Sequence, residues 1–218
     1  MSAVFLDLDG TLIDPKVGIT TSIRHALAEL GAEVPHADEL TWCIGPPLRD
    51  CFRALLGEGA DLDAAVALYR ARYAADGLFE ADIYDGVGEM LDGLRATGLP
   101  LYLATSKPHV FATTIAEEFG LSHYLNGLFG SELDGTHSDK TELLAHALAE
   151  TGADPARSVM VGDRRHDVFG ARNTGLIALG ALWGFADPDE LHLAEADALA
   201  GAPGEVPEIV ADILGLEG

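Results

Sequence analysis

Residues 5–11 read Phe5-Leu6-Asp7-Leu8-Asp9-Gly10-Thr11. The apolar run from Ala3 to Leu6 has the character of a short buried strand, and it ends in two carboxylates spaced by one residue. Two aspartates side by side repel, and they lower stability unless a cation or a partner sits between them. Asp-Gly is also a common turn pair, so the stretch alone reads either as an acidic turn or as a functional site. A metal partner, a phosphate anchor and a lid elsewhere in the chain would separate the two.

A chain of 218 residues with 48% hydrophobic content is long and apolar enough for one large domain, or for a core with a smaller insert. No apolar run reaches the ~18 residues of a membrane span, and the first strand begins almost at once, so a cytoplasmic protein is expected. Cys43 and Cys51 lie eight residues apart and are expected to be reduced, partly buried thiols. The net charge of −23 argues against nucleic acid as a partner, because nucleic-acid binding normally shows a basic patch. It also means that an anionic substrate must be met by local positive charge. Against ten arginines there are only three lysines, Lys16, Lys107 and Lys140. A compact ammonium on a flexible stem suits a tight phosphate site in a way that a guanidinium does not.

Helical spacing and stop signals predict an all-helical block directly after the first strand. Asp14-Pro15 reads as a cap and first helical residue, with Ile23, Leu27 and Leu30 following and Gly31 as the stop. Further helices are expected from Ala37 to Cys43, from Leu48, and from Asp61 through Tyr73 to Gly77, with no strand between residues 15 and 83. From Asp85 the pattern changes to alternating helix and strand. Strands are expected at Leu99–Ala104, Leu125–Phe129, Ser158–Val161 and Leu176–Leu182, and a closing helix near 205–214. Strands separated by helices of ten or more residues imply a parallel sheet with helices on both faces, an α/β fold of Rossmann-like character. The expected division is residues 1–14 and 84–218 as the core and 15–83 as a helical cap.

In such sheets ligands bind outside the carboxyl ends of the strands. Asp7, Asp9, Thr105, Lys107 and Asp163 all fall at those ends, and Lys140 opens a helix behind an Asp139/Glu142 start signal. A carboxylate cluster of Asp7, Asp9, Asp163 and Asp167 beside Lys140 and Thr105 suits magnesium-assisted phosphoryl transfer. Mg²⁺ takes oxygen ligands, relieves repulsion among the aspartates and neutralises phosphoryl charge. A carboxylate can serve as nucleophile, and a second can protonate the leaving oxygen and then activate water.

Taken together, these residues resemble the haloacid dehalogenase superfamily, and within it the phosphoglycolate phosphatase-like hydrolases with a helical cap. The resemblance covers essentially the whole chain. It rests on Asp7-Leu-Asp9-Gly-Thr11, Ala-Thr105-Ser106-Lys107, Lys140, and Val-Gly-Asp163-Arg-Arg-His-Asp167, in that order. It implies a Rossmann-like sheet with a mobile cap, Asp7 as nucleophile and Asp9 as general acid/base. Thr105, Ser106 and Lys140 would hold the phosphoryl oxygens. Asp163, Asp7 and the Asp9 backbone carbonyl would ligate Mg²⁺, with Asp167 acting from beyond the direct ligands.

Several residues keep a second reading. Thr105 can cap the helix before Pro108, and Asp167 can be simply a partner for Lys140. A cation in a first helical turn opposes the helix dipole, which favours the phosphate role for Lys140 over a solvated one. Lys107 reads as a second anchor or as a surface residue. Arg49, in the break Gly45-Pro46-Pro47-Leu48-Arg49, reads as a cap contact to the leaving group or as the outer end of a helix. His166 and Cys51 have no evident task.

The expected activity is hydrolysis of a small phosphorylated metabolite, phosphoglycolate-like, by a monomer or homodimer that uses neither nucleic acid nor membrane. The alternatives are a nucleotide 5'-monophosphatase, a sugar phosphomutase with the same nucleophile, and an inactive binding module. A dehalogenase would leave Asp9 and the metal cluster without purpose, and for a phosphonatase Lys16 is a doubtful Schiff-base lysine.

Overall fold

The computed structural model describes residues 1–187 and 189–216. The chain begins with strand β1 (Val4–Leu6) and the short β2 (Ile13–Asp14). Helices α1 (Lys16–Glu29), α2 (Leu48–Leu56) and α3 (Leu62–Arg72) follow, and then the two-residue strand β3 (Asp82–Ile83). Helix α4 (Val87–Ala96), strand β4 (Leu101–Pro108), helix α5 (His109–Glu118) and strand β5 (Gly127–Ser131) come next. The chain continues through α6 (Lys140–Thr151), β6 (Val159–Gly162), α7 (Arg165–Thr174) and β7 (Ile177–Ala181). Helix α8 (Glu190–Leu193), strand β8 (Ala198–Ala200) and helix α9 (Val206–Leu214) complete it.

It divides into two compact units, residues 1–14 with 83–218, and residues 15–82. The first is built on a six-stranded parallel sheet in the order β5-β4-β1-β6-β7-β8, flanked by helices. Val4, Phe5 and Leu6 have no exposed surface, as expected for a central strand covered on both faces. One row across the sheet, Tyr102, Phe5, Met160 and Ala178, packs with Leu143, Leu144 and Ala147 of α6 and Val168 and Ala171 of α7. The Phe5 and Tyr102 rings stack with centroids 5.4 Å apart. From β1 the order runs outward to β4 and β5, then returns to β6 on the other side of β1. The carboxyl ends of β1 and β6 therefore flank the point where the connections reverse, which is the crevice of such sheets.

The second unit is helical up to Asp82. Gly18 of α1 lies against the turn after α3, where an added Cβ would stand 2.1 Å from the Gly77 carbonyl oxygen. Arg72 closes the same corner, donating to Gly18 O (3.3 Å), Ser22 Oγ (3.1 Å) and Glu80 Oε1 (2.7 Å). Among the described residues no helix is long and apolar enough to cross a membrane.

The structure corrects the reading in several places. Asp14 lies in β2, and Pro15 is the residue that precedes α1. The segment Ala37–Cys43 is a 3-10 helix, started by a His36/Glu39 capping box. Helix α3 runs on into a π-helical turn at Tyr73–Gly77, so the helical segment closes at Gly77 as expected but with a π rather than an α last turn. Strand β4 continues to Pro108 because β5 extends its pairing there through a register shift, with Pro108 opposite Ser131. Strand β8 was not foreseen. Its Ala-Leu-Ala sequence has no β-branched residue, and it is a strand because β7 supplies its partner. Strands β2 and β3 escaped for a similar reason: each is two residues long, and they pair with each other in a separate two-stranded sheet.

Candidate active site

At the end of β1 the backbone turns sharply. Leu12 and Ile13 both donate to the Leu8 carbonyl, Gly10 donates to Ile13, and Gly10 holds φ +84°. Glycine is needed twice over at this position. Its φ is unfavourable for side-chain residues, and an added Cβ would lie 2.1 Å from Asp163 Oδ2. Gly184 presses on the same carboxylate from the other side, its notional Cβ 2.3 Å from Asp163 Cβ. Asp163 is fully buried in that slot. Its Oδ2 accepts from the Phe185 amide at 2.7 Å, and its Oδ1 is buried with no hydrogen-bond partner.

Asp167 sits in the first turn of α7. Its Oδ2 accepts from the Arg164 amide (3.1 Å), and its Oδ1 faces Lys140 Nζ at 2.7 Å. Lys140 opens α6 behind Asp139, which caps the helix by accepting from the Thr141 and Glu142 amides. The Lys140 stem lies along Gly170, where an added Cβ would be 2.6 Å from its Cγ. Its ammonium meets Asp7 Oδ1 at 3.0 Å, Asp167 Oδ1 at 2.7 Å and the Ala104 carbonyl at 3.0 Å. An ammonium has three hydrogens, and here three acceptors surround it.

Lys107 is a buried residue and not a surface one. Its Nζ lies 2.7 Å from Asp9 Oδ1, and its amide donates to Thr105 Oγ1 at 3.3 Å. Thr105 is buried beside Ala104, and the Ser106 carbonyl is tied to Ser131 Oγ at 2.8 Å. The core unit thus brings Asp7, Asp9, Thr105, Lys107, Lys140, Asp163 and Asp167 into one connected cluster. Arg49 is in the first turn of α2 in the helical unit, exposed and paired with Asp63 of α3.

Oxygens of Asp7, Asp163 and Asp167 all lie within 4.8 Å of one another, an arrangement that can hold a metal ion. Charge points the same way. Asp7, Asp9, Asp163 and Asp167 carry four negative charges when ionised, against two positive charges on Lys107 and Lys140, and all six are buried. The deficit of two equals one divalent cation. Burial pushes the Asp163 carboxyl up, with the Asp167 and Asp7 charges adding to it, and it raises Asp167 to about 6 despite Lys140. Burial also raises Asp9, against the pull of Lys107. For Lys140 burial favours the neutral amine, but Asp167 and Asp7 together outweigh it and hold the ammonium charged. With its orphaned oxygen, three carboxylates and all-oxygen donor set, the site fits a hard divalent ion.

A second set of residues left no mark in the sequence. The Arg164 guanidinium is buried against the Glu190 carboxylate, Phe185 anchors Asp163 through its backbone, and the Trp183 indole donates to the Thr11 carbonyl at 3.0 Å. Backbone donors leave no trace in residue type. Glu190 sits in an acidic stretch that reads as a solvated helix start. The two cysteines are reduced and buried, as expected, with Cys51 Sγ directed at the Cys43 carbonyl (3.7 Å).

The haloacid dehalogenase-like hydrolase family model matches residues 4–181. A 5'-nucleotidase of Pseudomonas aeruginosa is 44% identical over 87% of this chain and 86% of its own length. The tyrosine-protein kinase PtkA of Mycobacterium tuberculosis is 42% identical over 85% of this chain, which spans only 64% of that protein. A phosphoglycolate phosphatase of Cupriavidus necator is 30% identical over 96% of this chain and 93% of its own length. The crystal structure of a predicted phosphatase from Clostridium acetobutylicum superposes with a TM-score of 0.92 at 33% identity, covering 97% of this chain and 98% of that one. The chain belongs to the haloacid dehalogenase-like hydrolases, and it is an enzyme.

Proposed function

We propose that the protein is a Mg²⁺-dependent phosphatase that hydrolyses a small phosphate monoester through an aspartyl-phosphate on Asp7. The observation that carries this reading is the buried cluster in which Lys140 touches both Asp7 and Asp167, while Asp163 keeps one oxygen unpartnered. Relatives named phosphatase and nucleotidase support the reaction class. Asp7, Asp163 and the Asp9 backbone carbonyl would hold the Mg²⁺, with Asp167 acting from beyond the direct ligands, and the bound ion would offset phosphoryl charge in the transition state.

Asp7 attacks phosphorus and the P–O ester bond breaks, with the leaving oxygen taking its proton from Asp9. Burial keeps the protonated form of that carboxyl accessible, and Lys107 stabilises the carboxylate left behind. Asp9 then takes a proton from water, whose oxygen attacks phosphorus and releases inorganic phosphate and free Asp7. Lys140 and Thr105 hold the phosphoryl oxygens, with Ser106 beside them.

Two substrate classes are in play. Small phosphorylated acids follow from the phosphoglycolate phosphatase relative, and nucleoside 5'-monophosphates from the 44%-identical nucleotidase. Phosphate release from a panel of both classes and of hexose 1-phosphates, with Mg²⁺ and with EDTA, tests the proposal. Activity that survives EDTA, or Asp7→Asn retaining wild-type turnover, overturns it. A hexose phosphate that isomerises without phosphate release identifies a mutase.

A further inference from the structure

We infer that Glu190 is a positioning residue for the metal site, acting through Arg164. Its carboxylate collects four donors from two directions. Arg164 Nε (2.9 Å), the Arg165 amide (2.8 Å) and, more loosely, Arg164 Nη2 (3.4 Å) come from the turn between β6 and α7. The fourth is the Asp187 amide at 3.4 Å, from its own side. Burial disfavours the charged carboxylate, but these donors outweigh it and hold Glu190 ionised. Glu190 and Arg164 are both at least nine-tenths buried.

That turn carries the metal carboxylates. Asp163 is the residue before Arg164, and the Arg164 amide is the donor that orients Asp167. The segment after β7 thus grips residues 163–165 at two points: the Phe185 amide on Asp163, and Glu190 on Arg164 and Arg165. A buried ion pair contributes little net stability compared with apolar packing, yet removing one partner leaves the other charge exposed to a low dielectric. Without Glu190 the Arg164 side chain loses a carboxylate that holds it in place, and the Arg164 amide that orients Asp167 belongs to the same residue. Glu190 therefore fixes the turn that carries Asp163 and orients Asp167. Outer partners of this kind typically change metal affinity by about 10–100-fold.

This inference rests on the metal reading above, and direct binding of Mn²⁺ by the full-length protein, followed by electron paramagnetic resonance, separates the two. If the wild-type protein takes up no Mn²⁺, the metal reading fails. If it binds, Glu190→Ala is expected to weaken Mn²⁺ by about 10-fold or more, and Glu190→Gln, which keeps an acceptor for the Arg165 amide, by less. The expected signature in turnover is a raised metal requirement at unchanged KM for substrate at saturating metal. Glu195→Ala, which removes an exposed pair with Arg172, serves as a control that leaves Mn²⁺ affinity unchanged. A purely structural role would lower the Tm with Mn²⁺ affinity intact, and that result in a folded Glu190→Ala overturns the inference. Should Glu190→Ala not fold, wild-type affinity in Glu190→Gln overturns it equally.

Discussion

Asp9 and Lys107 face each other at 2.7 Å, both buried, so the ammonium bears directly on the acid chemistry of Asp9. Replacing Asp9 by Asn removes the proton donor while preserving shape. Turnover of an ester with a poor leaving group should fall by about 10²–10⁴-fold. An activated ester such as p-nitrophenyl phosphate should suffer far less, and comparing kcat/KM for the two checks this. Lys140 is the site's other linchpin. Lys140→Met leaves Asp7 and Asp167 buried together without their shared cation, and breaking a buried pair of this kind costs about 3–5 kcal/mol. Urea unfolding in EDTA should show that loss, and saturating Mg²⁺ should recover part of it. Of these residues, Asp7, Asp9, Lys140 and Asp163 stood out in the sequence because charged residues at strand ends and in a helix's first turn are conspicuous. Lys107 remained ambiguous, because only the fold could show that its ammonium turns inward.

The elements were legible where periodicity is strong and faint where an element depends on its neighbour. β1, β6 and β7 are apolar runs and were readable as buried strands. β8 takes its conformation from β7 and was not. The turns around the site depend on absent side chains, which a sequence shows only as glycine. Gly10→Ala makes the point measurable. It places a Cβ at positive φ and against Asp163, so it should cost about 1–3 kcal/mol in stability and weaken Mg²⁺ by a larger factor than Gly31→Ala. Gly31 also has positive φ, but nothing lies within 4 Å of its notional Cβ, which isolates the collision from the backbone strain. Thermal unfolding and Mg²⁺ titration of the two variants provide the comparison.

Across the whole molecule, 36 acidic residues against 13 basic ones make an anionic substrate an unwelcome visitor until local charge intervenes. The four buried carboxylates and two ammoniums also couple stability to pH and metal. Asp167 has a folded-state value of about 6, above its ordinary 3.8. A carboxyl raised in this way binds more protons folded than unfolded, so in EDTA its contribution falls as pH rises from about 4 to about 6 and stays low above that. Mg²⁺ competes with those protons. The gain in Tm on adding Mg²⁺ should therefore be larger at pH 7.5 than at pH 5, and at 100 times its Kd should be worth about 2.7 kcal/mol. Equal gains at both values would contradict the carboxylate-cluster account. The sign of the net charge was legible from composition alone, whereas this buried imbalance needed the topology that gathers residues 7, 9, 107, 140, 163 and 167.

The slot around Asp163 has a kinetic consequence. Its walls are Gly10 and Gly184, residues far apart in the sequence, and its anchor is the Phe185 amide. Closing so long a loop is among the slower steps available to a chain, because its entropy is lost before the contact repays it. The metal seat is then completed after the sheet has formed, and Mg²⁺ meets a finished site rather than a nucleus. Magnesium should slow unfolding while leaving the refolding rate almost unchanged, a partition that stopped-flow measurements in both directions would reveal.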